Sequence, residues 1–358
     1  MRRKFWYFYM RAYIQLGLHF FYKNIRVVGA KNVPKNRAVI FLPNHVNTFM
    51  DAVVVATTHP KMSHHMARAD VFNSPRLIWL MSTINLRPIY RLRDGKDAVT
   101  KNEQVFQQLQ DFMNDGECVM MHPEGTHTMD YRLRSLKKGF TRLAFGFLEQ
   151  FPDKEVDIIP VGINYDNPTD YGSNISIHYG KPIDARPYFE MQDQNKASQA
   201  LTQDVNQALL PLVTNIDDVE NYDKILERLK ATGADLSNPA ECNPIIQEIE
   251  NGENPKPIRK IKGPGIINKI IFPFALINNW AAVLMWKKMK PTFKDPAWHG
   301  PMKLALGISL VPITYALQTL LVAFFFGWVW ALIYLFLSMI TVRSLRIGQS
   351  ATRLSFHP

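Results

Sequence analysis

The sequence predicts an α/β domain, a layered sheet with flanking helices, set between an N-terminal interfacial helix and a C-terminal membrane-embedded helical hairpin. Three observations predict it. Short apolar runs of strand length alternate with helical patterns through the middle of the chain. The first 50 residues carry nine Lys/Arg and no carboxylate. Near the other end, residues 304–342 carry no charge at all.

Taken in chain order, segment 1–30 interleaves Arg2, Arg3, Lys4 and Arg11 with Phe5, Trp6, Tyr7, Phe8 and Tyr9. Its longest uncharged stretch, 12–22, is too short for a crossing that needs ~20 residues. No small-residue cleavage site follows, which argues against a signal peptide. Aromatic bodies at headgroup depth with basic residues on lipid phosphates describe an interfacial helix. Packing on a protein core is the alternative.

Residues 31–190 read as the α/β domain. The runs 38–42 (AVIFL), 117–121 (ECVMM), 158–163 (IIPVGI) and 175–179 (ISIHY) have the length and apolar content of buried strands. Helical patterns cover 97–113, 141–150 and 198–210, the last with Ser198 as N-cap and Pro211 as its stop. Residues 191–262 are polar, with turn residues at Gly233, Pro239, Pro244 and Gly252, and read as a solvated helical connector.

The region 263–358 is expected to be membrane-associated. Residues 304–342 fit two spans of ~19 residues turning near 323–327. A surface helix is apolar on one stripe only, so no water-exposed helix needs this stretch. Lys287, Lys288, Lys290, Lys294 and Lys303 precede it, and Arg343, Arg346 and Arg353 follow. Positive flanks stay on the cytoplasmic side, so a hairpin returning to that side satisfies both. The stretch 270–286, interrupted by Pro273, Asn278 and Asn279, reads as interfacial or re-entrant.

Composition sets the limits on function. With 358 residues, 47% of them apolar, the chain is no disordered tail. A net charge of +11 favours an anionic partner, and its placement beside apolar segments favours lipid over nucleic acid. Two cysteines, Cys118 and Cys242, exclude a disulfide scaffold and a Cys-rich metal site and suit a reducing compartment. No G-x-S-x-G elbow, Walker A loop or G-x-G-x-x-G fingerprint occurs.

Four clusters remain as candidates for chemistry. Residues 43–51 (PNHVNTFMD) follow the first buried strand. Strand ends project side chains into a crevice, and a carboxylate there can fix a histidine's tautomer and leave its other nitrogen as a base. Six positions put His45 and Asp51 on different helical faces, so the chain must turn between them. Residues 121–128 (MHPEGTHT) suggest a tight turn offering N–H groups and a carboxylate to phosphate or sugar oxygens. Residues 86–91 (LRPIYR) place two arginines about a proline-containing turn, a natural fork for phosphate. Residues 159–162 (IPVG) offer packing without a titratable group. A metal hydrolase using His45, Asp51, His59, His64 and His65 is a weaker reading, since adjacent His64 and His65 point to different faces of any regular element.

Together these clusters resemble the glycerolipid acyltransferases, the PlsC-like enzymes, over residues 38–183. His45 with Asp51 resembles the family's catalytic block, and Arg91 falls where an arginine holds the acceptor phosphate. Residues 123–126 (PEGT) resemble the third block and 159–161 (IPV) the fourth, with 136–139 (LKKG) and 179–183 (YGKPI) as supporting stretches. Five residues separate His45 from Asp51 where four are usual, a spacing that resembles glycerol-3-phosphate and dihydroxyacetone-phosphate acyltransferases. His122 stands where phenylalanine is usual and His127 where arginine is. Arg132, Arg134, Lys137 and Lys138 offer other cations.

The resemblance implies acyl transfer from acyl-CoA or an acyl carrier protein to a hydroxyl of glycerol 3-phosphate or 1-acylglycerol 3-phosphate (a phosphorylated glycerol or a lysophospholipid), with transfer to another lipid hydroxyl as an alternative. His45 would be general base and Asp51 its partner. Arg91, Glu124, Gly125, Thr126 and Lys137 would bind the acceptor. It implies no metal and no cofactor beyond the thioester co-substrate, membrane lipids as partners, no nucleic acid, and an active site facing the cytoplasm. A non-catalytic lipid-binding scaffold is the rival reading.

Overall fold

The computed structural model describes residues 2–69, 72, 74–90, 97–259 and 266–352. Eight strands form one sheet: β1 (Asn24–Val28), β2 (Ala38–Pro43), β3 (Ser63–Arg68), β4 (Leu86–Ile89), β5 (Cys118–Met120), β6 (Val156–Tyr165), β7 (Asn174–Tyr179) and β8 (Ile183–Asp184). Their order is β1-β7-β6-β2-β5-β3-β4, with β8 paired to β6. The run from β6 through β2, β5 and β3 to β4 is parallel, while β6–β7 and β6–β8 are antiparallel. Central strand β2 is buried at all six positions. Its side chains alternate: Ala38, Ile40 and Leu42 enter one core and Val39 and Phe41 the other. A strand covered on both faces reads as an unbroken apolar run, which is why AVIFL was legible.

Helices α1 (Arg2–Phe21), α2 (Thr48–Thr58), α3 (Pro75–Thr83), α4 (Ala98–Asn114), α5 (Gly139–Gln150), α6 (Arg186–Phe189) and α7 (Gln194–Leu209) accompany the sheet. On one face Leu109, Phe140, Leu143, Phe147, Leu201 and Val205 pack on the strands; on the other Leu18, Phe21, Met50, Val54 and Leu304 do so. Helix α7 therefore belongs to the sheet layer and is no solvated connector, because Leu201, Val205 and Leu209 recur at helical spacing on one face. Its N-cap is Asp193, not Ser198. The Asp193 carboxylate accepts from the N–H groups of Asn195 and Lys196, while Ser198 lies inside the helix with its hydroxyl 2.7 Å from Thr141 Oγ1. The rest of the polar segment, α8 (Tyr222–Ala231) and α9 (Pro239–Glu250), closes a small core of its own around Leu229, Cys242 and Ile246.

Segment 1–30 is divided in role. Strand β1 pairs in parallel with β7, so the sheet reaches back to Asn24. Helix α1 docks through Tyr7, whose hydroxyl lies 3.0 Å from Ser63 Oγ, and through an ion pair of Arg3 with Glu117. Phe5, Trp6, Phe8, Tyr9 and Leu16 remain exposed. Residues 86–89, expected in a turn, form edge strand β4, where Pro88 is tolerated because an edge needs no second ladder bond.

Helices α10 (Ile266–Asn278), α11 (Trp280–Met289), α12 (His299–Phe326) and α13 (Trp328–Thr352) complete the described chain. Gly327, at φ +86°, separates the last two. The Tyr315 hydroxyl donates to the Ser338 carbonyl at 3.1 Å, and Tyr334 donates to Gln318 Oε1 at 2.8 Å. These pairs straddle Gly327 nearly symmetrically, so α12 and α13 fold back as a hairpin. The two arms are unequal. Residues 296–326 form a helix long and apolar enough to cross a membrane, whereas the apolar part of α13 ends at Val342 and falls short of that length. The turn sits at Gly327, past the midpoint of the uncharged stretch, which leaves the second arm short. Helices α10 and α11 meet at 79°, the geometry of a broken span or a re-entrant loop.

Candidate active site

Beyond the end of β2 the chain makes the turn that the His45–Asp51 spacing requires. Asn44 anchors it: its Nδ2 donates to the Ile163 carbonyl at 3.0 Å and its Oδ1 accepts from the Ile163 N–H at 2.7 Å. Thr48 then adopts φ +39°, a left-handed conformation uncommon for a β-branched residue and a locally strained one. Asp51 follows in the first turn of α2 and points back at the loop.

Asp51 is fully buried and saturated with donors. Its Oδ2 lies 2.8 Å from His45 Nδ1 and accepts the N–H groups of Val46 and Asn47, each at 2.8 Å. Its Oδ1 accepts from the Tyr165 hydroxyl at 2.7 Å. Burial alone would raise the pKa of Asp51, but the His45 bond and the surrounding donors outweigh it and hold the carboxyl below its ordinary value. A charged Asp51 keeps the His45 proton on Nδ1 and leaves Nε2 as the basic nitrogen. Burial and the same anion push the Tyr165 hydroxyl well up, so it acts only as a donor.

Residues 121–128 close over the other side of His45. The Gly125 N–H donates to the His122 carbonyl at 3.2 Å, with Gly125 at φ +75°, a conformation that suits glycine. Glu124 was expected to reach acceptor oxygens, and instead it turns inward. Its Oε1 accepts from the His45 N–H at 2.8 Å and its Oε2 from the Arg134 N–H at 3.2 Å. Both oxygens are committed to backbone, so Glu124 braces the His45 loop. Burial raises its pKa to about 6. Gly125 and Thr126 are exposed at the tip of the turn. Lys137 joins them: its N–H donates to the Pro123 carbonyl at 2.7 Å, and its Cγ lies 3.6 Å from where a Cβ on Gly125 would stand. Arg91 lies outside the described residues. Arg87 stacks over Phe112, 5.3 Å from the ring centroid, instead of joining a phosphate fork.

Three contributors had no local signal. Tyr165 sits at the end of β6, far from Asp51 in sequence. His122 stacks on His45 with ring centroids 3.8 Å apart and planes at 13°. Burial, then the neighbouring His45, lowers its pKa to about 3, so it stays neutral. His127 stands edge-on to His45 at 5.5 Å and places Nε2 2.8 Å from Asp295 Oδ2, which belongs to the segment leading into α12. That segment also meets the His45–Asp51 loop, where the Thr48 hydroxyl donates to the Ala297 carbonyl at 3.5 Å. The only sequence cue to His122 and His127 was their departure from the family pattern.

Among the described residues the ligand set of a metal hydrolase, His45, Asp51, His59, His64 and His65, does not assemble. His64 pairs with Glu117 at 2.6 Å, His59 lies tilted against Phe41 with ring centroids 4.4 Å apart, and buried His65 has a pKa lowered to about 3. Among the described residues the ligand types that do converge are His45, Asp51 and His122. There the carboxylate already holds four donors, so an ion would have to displace them.

A family described as "Acyltransferase" matches residues 24–164, the span from β1 to β6 that contains His45, Asp51 and Glu124. The chain is 28% identical over 139 residues to the chloroplastic 1-acyl-sn-glycerol-3-phosphate acyltransferase LPAT1 of Arabidopsis thaliana, covering 38% of this chain and 37% of that protein. It is 25% identical over 121 residues to glycerol-3-phosphate O-acyltransferase 1 of Saccharomyces cerevisiae, covering 32% and 16% respectively. The match thus spans well under half the length of either relative. A crystal structure of the 1-acyl-sn-glycerophosphate acyltransferase PlsC of Thermotoga maritima aligns with 58% of this chain and 81% of its own, at 17% identity and a TM-score of 0.43.

Proposed function

We propose that this chain, whose residues 24–164 match the family described as Acyltransferase, is a PlsC-like glycerolipid acyltransferase that transfers a fatty acyl group from an acyl thioester to a hydroxyl of glycerol 3-phosphate or of 1-acylglycerol 3-phosphate. The observation that carries the reading is the pairing of His45 Nδ1 with a buried, fully solvated-by-protein Asp51 at 2.8 Å. His45 Nε2 removes the proton of the acceptor hydroxyl as its oxygen attacks the thioester carbonyl. Asp51 stabilises the imidazolium that forms. The tetrahedral intermediate then collapses, the C–S bond breaks, and the imidazolium returns its proton to the departing thiolate. The acceptor oxygen stands where a serine nucleophile would stand in a hydrolase, so no acyl-enzyme forms.

Lys137, beside the exposed tip Gly125–Thr126, suits an acceptor phosphate, and Arg91 is proposed to add to it. The acyl donor is proposed to be acyl-CoA or an acyl carrier protein. The exposed aromatic face of α1 and the apolar α12–α13 hairpin are proposed to seat the protein on a membrane with the site on its cytoplasmic side.

The test is acceptor-dependent release of thiol from palmitoyl-CoA by the membrane-purified protein. Glycerol 3-phosphate and lysophosphatidic acid are offered in turn. Release that requires one of them supports the reading and selects the acceptor. Release at one rate whether or not an acceptor is present would make the protein a thioesterase and refute it.

A further inference from the structure

The segment 295–300 lies outside residues 24–164 and leads into α12, yet it is fastened to the loop that carries His45. Ala297 is 1% exposed, and its carbonyl accepts from the Thr48 hydroxyl at 3.5 Å. Gly300 stands so close to the Pro168 carbonyl that a Cβ would lie 2.4 Å from its oxygen. The same carbonyl accepts from Asn47 Nδ2 at 2.6 Å. These contacts fix where Asp295 sits.

Asp295 uses its two oxygens differently. Oδ1 accepts from the Ala297 N–H at 2.9 Å and so caps the turn Pro296–Trp298. Oδ2 lies 2.8 Å from His127 Nε2. Capping asks only for an acceptor oxygen, which asparagine supplies as well as aspartate. An ion pair whose side chains are 27% and 46% exposed adds little to stability. Neither duty explains a carboxylate at this position. Its second oxygen holds the ring that borders His45 edge-on, with centroids 5.5 Å apart. Burial would raise the Asp295 pKa, but the His127 bond and the Ala297 N–H outweigh it and keep the group an anion.

Acyl transfer calls for a hydrogen-bond donor to the charge that forms on the thioester carbonyl oxygen, and that carbonyl must lie beside the base. Several N–H groups around His45 are already committed. That of His45 goes to Glu124, those of Val46 and Asn47 to Asp51, and that of Thr128 to the His45 carbonyl. His122 is neutral and directs its Nδ1 proton at the Asn44 carbonyl, 3.3 Å away, which leaves a lone pair on Nε2. His127 differs. With Nε2 on Asp295, its Nδ1 has no partner among the described residues. A carboxylate beside an imidazole favours the protonated ring, in which both nitrogens carry hydrogen.

We propose that Asp295 is a positioning residue for the reaction, orienting His127 as an imidazolium whose Nδ1–H donates to the oxyanion while His45 takes the acceptor proton. The role rests on the acyltransferase reading and adds to it a residue from the entry to the long apolar helix α12. His127 gives up no proton. When the C–S bond breaks, the oxyanion returns to a carbonyl, and the thiolate is protonated from His45. The acceptor phosphate stays with Lys137 and Arg91, so the two charges of the reacting complex have separate holders.

The test is a double-mutant cycle on the full chain in detergent, reading kcat and KM for transfer from palmitoyl-CoA to the preferred acceptor. Asp295→Asn keeps the cap and removes the charge. It is expected to lower kcat by about 10–100-fold, with both KM values within about threefold of wild type, the pattern of an interaction made in the transition state. His127→Phe keeps the edge-on ring and is expected to cost about 10²–10³-fold in kcat, the scale of one lost oxyanion donor. Asp295→Asn added to His127→Phe is expected to lower kcat no further, since Asp295 acts through that ring. A purely structural cap would give losses that multiply. Tm checks folding, and Asp295→Ser, which also keeps a capping oxygen, replaces Asp295→Asn if the latter does not fold. Wild-type kcat in Asp295→Asn, losses that multiply in the double variant, or a raised acceptor KM at unchanged kcat would overturn the proposal and leave the acyltransferase reading standing. Absence of transfer in the wild type would refute that reading, and this role with it.

Discussion

Asp51 combines four donors, full burial and contact with His45, so its replacement separates charge from shape. Asp51→Asn presents an amide to N–H donors and removes the anion that fixes the His45 tautomer. A fall in kcat of about 10³–10⁴-fold is expected, by analogy with the serine-protease aspartate, with KM for the thioester changed little. His122 offers a second test. With its pKa at about 3 it is neutral from pH 5 to 8 and supplies packing instead of protons. His122→Phe is therefore expected to keep kcat within about tenfold and leave the slope of the acid limb of the pH–rate profile unchanged. A change of slope would make it a proton carrier.

Glu124 gives a pH signature in stability. Its pKa is raised by burial from 4.5 to about 6, so between these values the folded state binds more protons than the unfolded. Its contribution is full below about pH 4.5 and is lost as pH rises through about 6, a change of about 2 kcal/mol at 1.36 kcal/mol per unit. The Tm advantage of wild type over Glu124→Gln is expected to be larger at pH 4.5 than at pH 7. The motif positions His45, Asp51 and Glu124 were all legible in the sequence. The inward turn of Glu124 was not, since a PEGT stretch reads alike whether its carboxylate meets a ligand or the backbone of a loop 79 residues earlier.

Among the elements, legibility followed burial. Strands β2, β5, β6 and β7 announced themselves because their cores are apolar on both faces. Strands β1, β3 and β4 did not. The sequences NIRVV, SHHMAR and LRPI mix charge or proline into short runs, and all three lie toward the sheet edges, where a polar side chain meets solvent or an ion pair. The three helices α4, α5 and α7 were visible by period, and α7 was misassigned to a connector because its polar face outnumbers its buried one. Gly162 in β6 is a specific weak point. A Cβ there would stand 2.0 Å from the Leu212 carbonyl oxygen, a backbone atom that cannot swing away. Gly162→Ala is expected to lower stability by about 1–3 kcal/mol, the range for overpacking, measured by thermal unfolding in detergent.

At the scale of the whole molecule, the sheet domain and the C-terminal helices are joined at the site. Asp295 meets His127, Ala297 meets Thr48, and Gly300 meets Pro168. The α12–α13 hairpin exposes Phe324, Phe325, Phe326, Trp328, Val329 and Trp330, an apolar tip with no protein cover. That tip and the long α12 predict attachment that survives high salt and alkaline carbonate and yields only to detergent. Release by salt alone would leave a purely electrostatic contact and remove the hairpin from the membrane. The uncharged stretch and a turn near 323–327 were plain in the sequence, and the turn falls at Gly327; that the second arm would be the shorter was not.

His45 is proposed as the base of an acyl transfer. The measurement that tests it most directly is transfer of labelled palmitate from palmitoyl-CoA to the preferred acceptor, wild type against His45→Ala, with Tm confirming that both are folded. Labelled product is expected to form with wild type and to fall by at least ~10³-fold, on the scale of removing a triad member, in His45→Ala. Undiminished transfer by folded His45→Ala would contradict it.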